Sequence, residues 1–155
     1  MKQPQSLLQV AEFHKTFKHP ILPEPLIPDE SRCKLRIELL AEELKELEQA
    51  IKEKDLVEVA DALCDLQYVL SGAILEFGLG DKFKELFDEV QRSNMSKACI
   101  SEEEAKRTVQ AYREKGTEGY YKEIEGKWLV FRKEDNKTLK SINYSPANLK
   151  NILKK

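Results

Sequence analysis

Two long runs of apolar residues at helical spacing are separated by only three residues, Glu53-Lys54-Asp55, and that junction constrains the chain more than any other feature. In the first run, which reaches about Lys52, Leu35, Leu39, Leu40, Leu44, Leu47 and Ile51 recur at steps of three and four. Val59, Leu63, Leu66, Val69, Leu70 and Ile74 repeat the pattern in the second, until Gly78 or Gly80 stops it. A link that short makes the two helices antiparallel neighbours, an αα-hairpin. Asp29 or Ser31 is placed to cap the first helix. Asp55 caps the second, with Glu58 three residues later to close a capping box.

The flanks are shorter. Residues 5–18 set Leu7, Val10, His14 and Phe17 on one stripe of a helix, and then Pro20, Pro23, Pro25 and Pro28 impose an extended connector, because no helix survives that density of proline. Beyond the hairpin, Asp81 precedes a fourth helical pattern (Phe83, Leu86, Phe87, Val90) that frays near Ser93-Asn94. Ser101 with Glu104 opens another, to about Lys115. From Gly119 the character changes. Tyr120-Tyr121 and Trp128-Leu-Val-Phe131, flanked by turn residues, predict a β-hairpin with Trp128 in its core, and Ser145-Pro146 opens a short terminal helix or turn. The expected fold is all-α, a four-helix-bundle core with a small C-terminal β appendage at about 119–142, within one domain spanning 1–155. At 155 residues such a domain buries about two-thirds of the surface its extended chain exposes.

The whole chain carries 26 Lys+Arg against 28 Asp+Glu, a net charge of −2, and so offers no global basic field for nucleic acid or an anionic membrane. No stretch approaches the roughly 18 apolar residues of a membrane span, and the N-terminus lacks an apolar signal core, so a cytoplasmic protein is expected. Cys33, Cys64 and Cys99 are odd in number and widely spaced. They fit neither a disulfide framework nor a zinc knuckle and are expected as buried or half-buried thiols.

Near-neutrality hides an asymmetry. Residues 38–65 hold ten acids and three bases, an excess of seven negative charges, so the flanks are net positive. Glu42, Glu43 and Glu46 project from about one face of the first long helix, and Glu58, Asp61 and Asp65 (i, i+3, i+7) from one face of the second. Asp61 and Asp65 stand in a helix that is apolar almost all round. An antiparallel pairing brings the two acidic faces within reach of each other. Uncompensated carboxylates so crowded repel and resist ionisation, a cost that a hard divalent cation such as Mg²⁺ or Mn²⁺ removes while keeping positions open for water and phosphate. The absence of His argues against zinc and di-iron. The plainer alternative is a solvated helix face, which suits Glu48 and Glu53. His14 and His19, beside Phe and Pro, read as packing or substrate-edge residues.

Glu42-Glu43-Leu-Lys-Glu46 followed by Glu58-Val-Ala-Asp61 resembles the ExxE…ExxD signature of the all-α nucleoside triphosphate pyrophosphohydrolases, which include MazG, dimeric dUTPase and phosphoribosyl-ATP pyrophosphohydrolase. Phe13-His14-x-x-Phe17-x-His19-Pro20, Arg92-Ser-Asn94-Met-Ser-Lys97 and Lys140-Ser-Ile-Asn143-Tyr144 resemble the small MazG-like branch, and together the likeness covers most of the chain. It implies Mg²⁺- or Mn²⁺-dependent hydrolysis of a (d)NTP to the monophosphate and pyrophosphate, as nucleotide-pool cleaning, by a homodimer or dimer of dimers. Carried over, Glu43, Glu46, Glu58 and Asp61 would ligate metal, Glu42 would orient or deprotonate the attacking water, and Asp65 would stand behind the ligands. Arg92, Asn94, Lys97, Lys140, Asn143 and Tyr144 would hold the substrate. Phosphoribosyl-ATP as substrate, and a non-catalytic helical dimerisation or antitoxin-like module, are the competing readings. The charged helix from Ser101 and the Tyr-Trp-Phe hairpin depart from the branch pattern and bear on base specificity.

Overall fold

The computed structural model describes residues 4–154, which form six helices and one antiparallel hairpin. They are α1 (Ser6–Phe17), α2 (Glu30–Glu53), α3 (Leu56–Glu76), α4 (Phe83–Met95), α5 (Glu102–Arg113), β1 (Gly119–Ile124), β2 (Lys127–Arg132) and α6 (Leu149–Leu153). The chain divides into two compact units, one up to Phe83 and one from Lys84 onward.

The first unit is built on the predicted αα-hairpin. Asp29 caps α2 by accepting from the Arg32 amide, while Ser31, the alternative cap, donates instead to the Asp29 carboxylate. Asp55 caps α3 through the Val57 and Glu58 amides. Between them Lys54 takes the left-handed conformation (φ 59°) that lets two helices reverse on so short a link. α1 packs on α3, and the proline-rich connector is tied to the end of α3 by hydrogen bonds from Leu22 N–H to the Leu75 carbonyl and from Leu26 N–H to the Phe77 carbonyl. Gly78 carries φ +66°, and a Cβ there would lie 1.8 Å from the Glu24 carbonyl oxygen, so only glycine lets α3 stop against that connector.

Several residues expected in the core lie open instead. Leu44 and Ile51 of α2 and Leu63 of α3 are each more than half exposed, and Phe17 and Leu70 are also exposed. Periodicity marks an apolar face, and three helices cannot cover every face of two long ones. What is buried at the junction of α1, α2 and α3 is largely polar. Glu76, the largest fully buried side chain, accepts from both Arg36 and Arg32, and His14 lies beside Arg36. Burial opposes Glu76 ionisation, but the hydrogen bonds from Arg36 and Arg32 outweigh it and hold the carboxyl below its usual range. Burial likewise lowers His14, which is therefore a neutral imidazole donating through Nδ1 to the Pro20 carbonyl (2.8 Å). Gly72 makes the space, since a Cβ there would meet Arg36 Nη1 at 2.7 Å and His14 Nε2 at 3.0 Å.

In the second unit, α5 lies on the hairpin over a core of Cys99, Ala105, Val130 and Leu139, and Trp128, expected within the hairpin core, packs partly buried against it. Glu125 and Gly126 form the two-residue turn, both at positive φ (50° and 76°), the geometry whose twist matches the strands it joins. Ser101 caps α5. The Glu104 carboxylate reaches back to the Ile100 amide rather than to the cap residue, and it also accepts from Ser141. α4 runs on to Met95, past the predicted fraying point, and α5 stops at Arg113. The three cysteines are free, and Cys64 is exposed where a buried or half-buried thiol was expected.

Candidate active site

The acidic residues belong to the first unit. Glu42, Glu43 and Glu46 lie in the middle of α2, and Glu58, Asp61 and Asp65 in the N-terminal half of α3. Because the helices run antiparallel from the Lys54 turn, residues at comparable distances from that turn face one another. Glu43 is the centre of the group. It is half-buried, and its pKa is raised first by desolvation and then by repulsion from Glu46, Asp65, Glu42 and Asp61, in that order. Two of those four repelling charges, Asp65 and Asp61, come from the opposite helix.

The membership differs in detail from the sequence expectation. Asp65, expected behind the ligands, acts on Glu43 more strongly than Asp61 does. Glu58 sits in the first turn of α3, exposed, with its amide on Asp55. The ion pairs within α2, Lys34–Glu38 and Lys52–Glu48, involve none of these acids. Among the described residues no three acidic, His or Cys side chains are gathered closely enough to enclose a cation. The donor set is nonetheless right for a hard one: carboxylates only, from two helices, none of them in an ion pair among the described residues.

One turn further along the same helix faces, Leu39 precedes Glu43 by four residues, and Tyr68 and Val69 follow Asp65 by three and four. These residues line a cavity of about 390 Å³ with Phe13, His19 and the buried Arg36. Phe13 stacks on His19 at 5.7 Å and meets Tyr68 edge-on at 5.6 Å. A heterocycle would find aromatic faces here and an arginine, whose Nε is buried without a partner, at the wall. The sequence hinted at this only through Phe13 and His19. Nothing in the sequence singled out Tyr68.

The cationic and amide residues belong to the second unit, and most already have partners. Arg92 donates to both Glu89 oxygens (2.8 and 2.9 Å), to Ser145 Oγ (3.0 Å) and to the Pro146 carbonyl (3.0 Å). Lys97 Nζ donates to Asn94 Oδ1 (2.8 Å), and Lys140 Nζ lies 4.4 Å from the centre of the Tyr144 ring. The Tyr144 hydroxyl bonds Ser93 Oγ (2.9 Å), and the Ser141 amide donates to the Lys97 carbonyl (3.2 Å), which makes Lys97 and Lys140 neighbours. The Asn143 amide donates to Ser141 Oγ (2.9 Å), and the Ser141 hydroxyl donates in turn to the Glu104 carboxylate. Sequence reasoning missed Glu89, Ser93 and Ser96, although with Arg92 they repeat at i, i+3, i+4 and i+7 on one face of a helix.

Comparison with known proteins gives two findings. A family model described as phosphoribosyl-ATP pyrophosphohydrolase matches residues 10–94, over half of the chain, from α1 through the asparagine of α4. An uncharacterized protein, L479, of Acanthamoeba polyphaga mimivirus is 24% identical, over 93% of this chain and 94% of its own length.

Proposed function

The chain belongs to the phosphoribosyl-ATP pyrophosphohydrolase family, within the MazG-like all-α pyrophosphohydrolases, and from that premise we propose that it hydrolyses nucleoside triphosphates, (d)NTP and water giving (d)NMP and pyrophosphate. The crowding of Glu43 by acids of both helices carries this reading. Glu43, Glu46, Glu58 and Asp61 would hold Mg²⁺ or Mn²⁺, with Asp65 close enough to Glu43 to share the task. When bound, the metal neutralises the triphosphate and lowers the pKa of a coordinated water. Glu42, adjacent to the ligands and exposed, is placed to accept the proton of the attacking water. Asn94, Lys97, Lys140, Asn143 and Tyr144 supply cations and polar groups suited to phosphate and sugar oxygens. The aromatic cavity beside the acids suits the base of the substrate.

The exposed apolar stripes support a homodimer or dimer of dimers. Ile37, Leu44 and Ile51 of α2 and Leu56, Leu63 and Leu70 of α3 each repeat every seventh residue and are each at least 43% exposed, a seam that a second copy would cover. No helix among the described residues is long and apolar enough to cross a membrane. Phosphoribosyl-ATP is the second reading, favoured by the description of the family model, and involves the same anhydride chemistry. Incubating the protein with Mg²⁺ or Mn²⁺ and a panel of (d)NTPs and phosphoribosyl-ATP, and measuring pyrophosphate, separates the two. Release from no nucleotide, with no metal-dependent thermal shift, would leave the non-catalytic helical module.

A further inference from the structure

Glu89, Arg92 and Ser93 of α4, with Ser96 just past its end, hold down one loop. Glu89 Oε1 accepts from the Asn148 amide (2.8 Å) while both its oxygens bind Arg92. Arg92 in turn reaches Ser145 Oγ and the Pro146 carbonyl. Ser96 Oγ accepts from the Ser145 amide (2.9 Å) and donates to the Ser93 carbonyl (2.7 Å), and Ser93 Oγ meets the Tyr144 hydroxyl. Glu89, Arg92 and Ser93 of α4 and Ser96 just beyond its end therefore bind four of the five positions 144–148, all but Ala147. No regular secondary structure holds residues 140–148, so these contacts do the work that a strand ladder would do elsewhere. Arg92 uses four donor contacts within the protein, which leaves its guanidinium little capacity for a ligand.

We propose that Glu89, Arg92 and Ser96 are positioning residues, a clasp that holds residues 144–148 against α4 and thereby sets Lys97, Lys140 and Tyr144 as one preformed edge for a polyphosphate. The inference rests on the reading of Lys140 and Tyr144 as substrate-binding residues, and it assigns Arg92 to the loop rather than to phosphate. Charge-assisted bonds to a preorganised loop reduce the ordering cost of binding, so losing them weakens affinity more than turnover.

The two roles for Arg92 predict opposite behaviour of Glu89→Ala. That change frees the Arg92 guanidinium. If Arg92 ligates phosphate directly, affinity holds or improves; if it clasps the loop, affinity falls. The test compares the unaltered protein, Glu89→Ala, Arg92→Ala, the double variant and Glu89→Gln. It measures kcat and KM for the hydrolysed nucleotide, binding of inorganic tripolyphosphate by calorimetry, and amide exchange at Ser145 and Asn148. We expect KM and the tripolyphosphate Kd to rise about tenfold in each alanine variant, with kcat within about twofold and the double variant no worse than either single one. Exchange at both amides should quicken, and Glu89→Gln, which keeps an acceptor for the Asn148 amide, should recover part of the affinity. Unchanged or tighter tripolyphosphate binding in Glu89→Ala overturns the clasp, as does an unaltered protein that binds no tripolyphosphate. A protein that binds tripolyphosphate through the clasp yet hydrolyses no nucleotide contradicts the hydrolase reading instead.

Discussion

Glu43, half-buried, and Glu76, fully buried, are two glutamates that their neighbours treat oppositely. Desolvation disfavours the charge of each, but Glu76 has two arginines while Glu43 has only other acids. Glu46→Gln or Asp61→Asn should therefore abolish pyrophosphate release, while the metal-free protein keeps its Tm or gains about 1–3 °C, since each change removes repulsion. Near wild-type activity in either variant would show that the ligand set is misassigned. Glu76 predicts the reverse. Removing its charge leaves Arg36 buried without an anion, so Glu76→Gln should cost about 3 kcal/mol in denaturant unfolding. Because the folded-state pKa of Glu76 lies below the ordinary 4.5, its stabilisation is present above that pH and is lost as pH falls through the lowered value. Acid unfolding of Glu76→Gln should show a shallower dependence over that window than the unaltered protein.

Element by element, what could be read in advance depended on how local the causes were. The αα-hairpin, its Asp29 and Asp55 caps, the Ser101 cap and the Glu125-Gly126 turn all follow from residues within a few positions of each other, and all are present. The acidic faces were legible because two helical periods and one short turn determine which residues oppose which. Causes distant in sequence left no such trace. Arg36 and Glu76 are forty residues apart, and Glu89 and Asn148 fifty-nine, and nothing local to either partner announces the other. Periodicity also cannot say whether an apolar face is covered by the same chain or by another copy, which is why Leu44, Ile51 and Leu63 were expected in a core and lie exposed. If a second copy covers them, Leu44→Glu or Leu63→Glu should raise the dissociation constant in sedimentation equilibrium by at least about a hundredfold, about 3 kcal/mol. An unaltered protein that sediments as a monomer at micromolar concentration would count against the interface.

Across the whole molecule the net charge of −2 is a sum of unlike parts, a strongly acidic hairpin and net positive flanks. Acids of both long helices act on Glu43, and two lysines of the second unit, Lys97 and Lys140, lie beside Asn94 and Tyr144. That division suits a protein that needs a divalent cation in one place and phosphate oxygens in another. The most direct test is pyrophosphate release from a nucleotide panel at fixed protein concentration, titrated with Mg²⁺ from zero. We predict release that is absent without metal, saturates with Mg²⁺, and is lost in Glu46→Gln. Release that persists in excess chelator, or no release from any (d)NTP or phosphoribosyl-ATP at saturating Mg²⁺ or Mn²⁺, would contradict the assignment of the acidic hairpin as a metal-dependent hydrolytic centre.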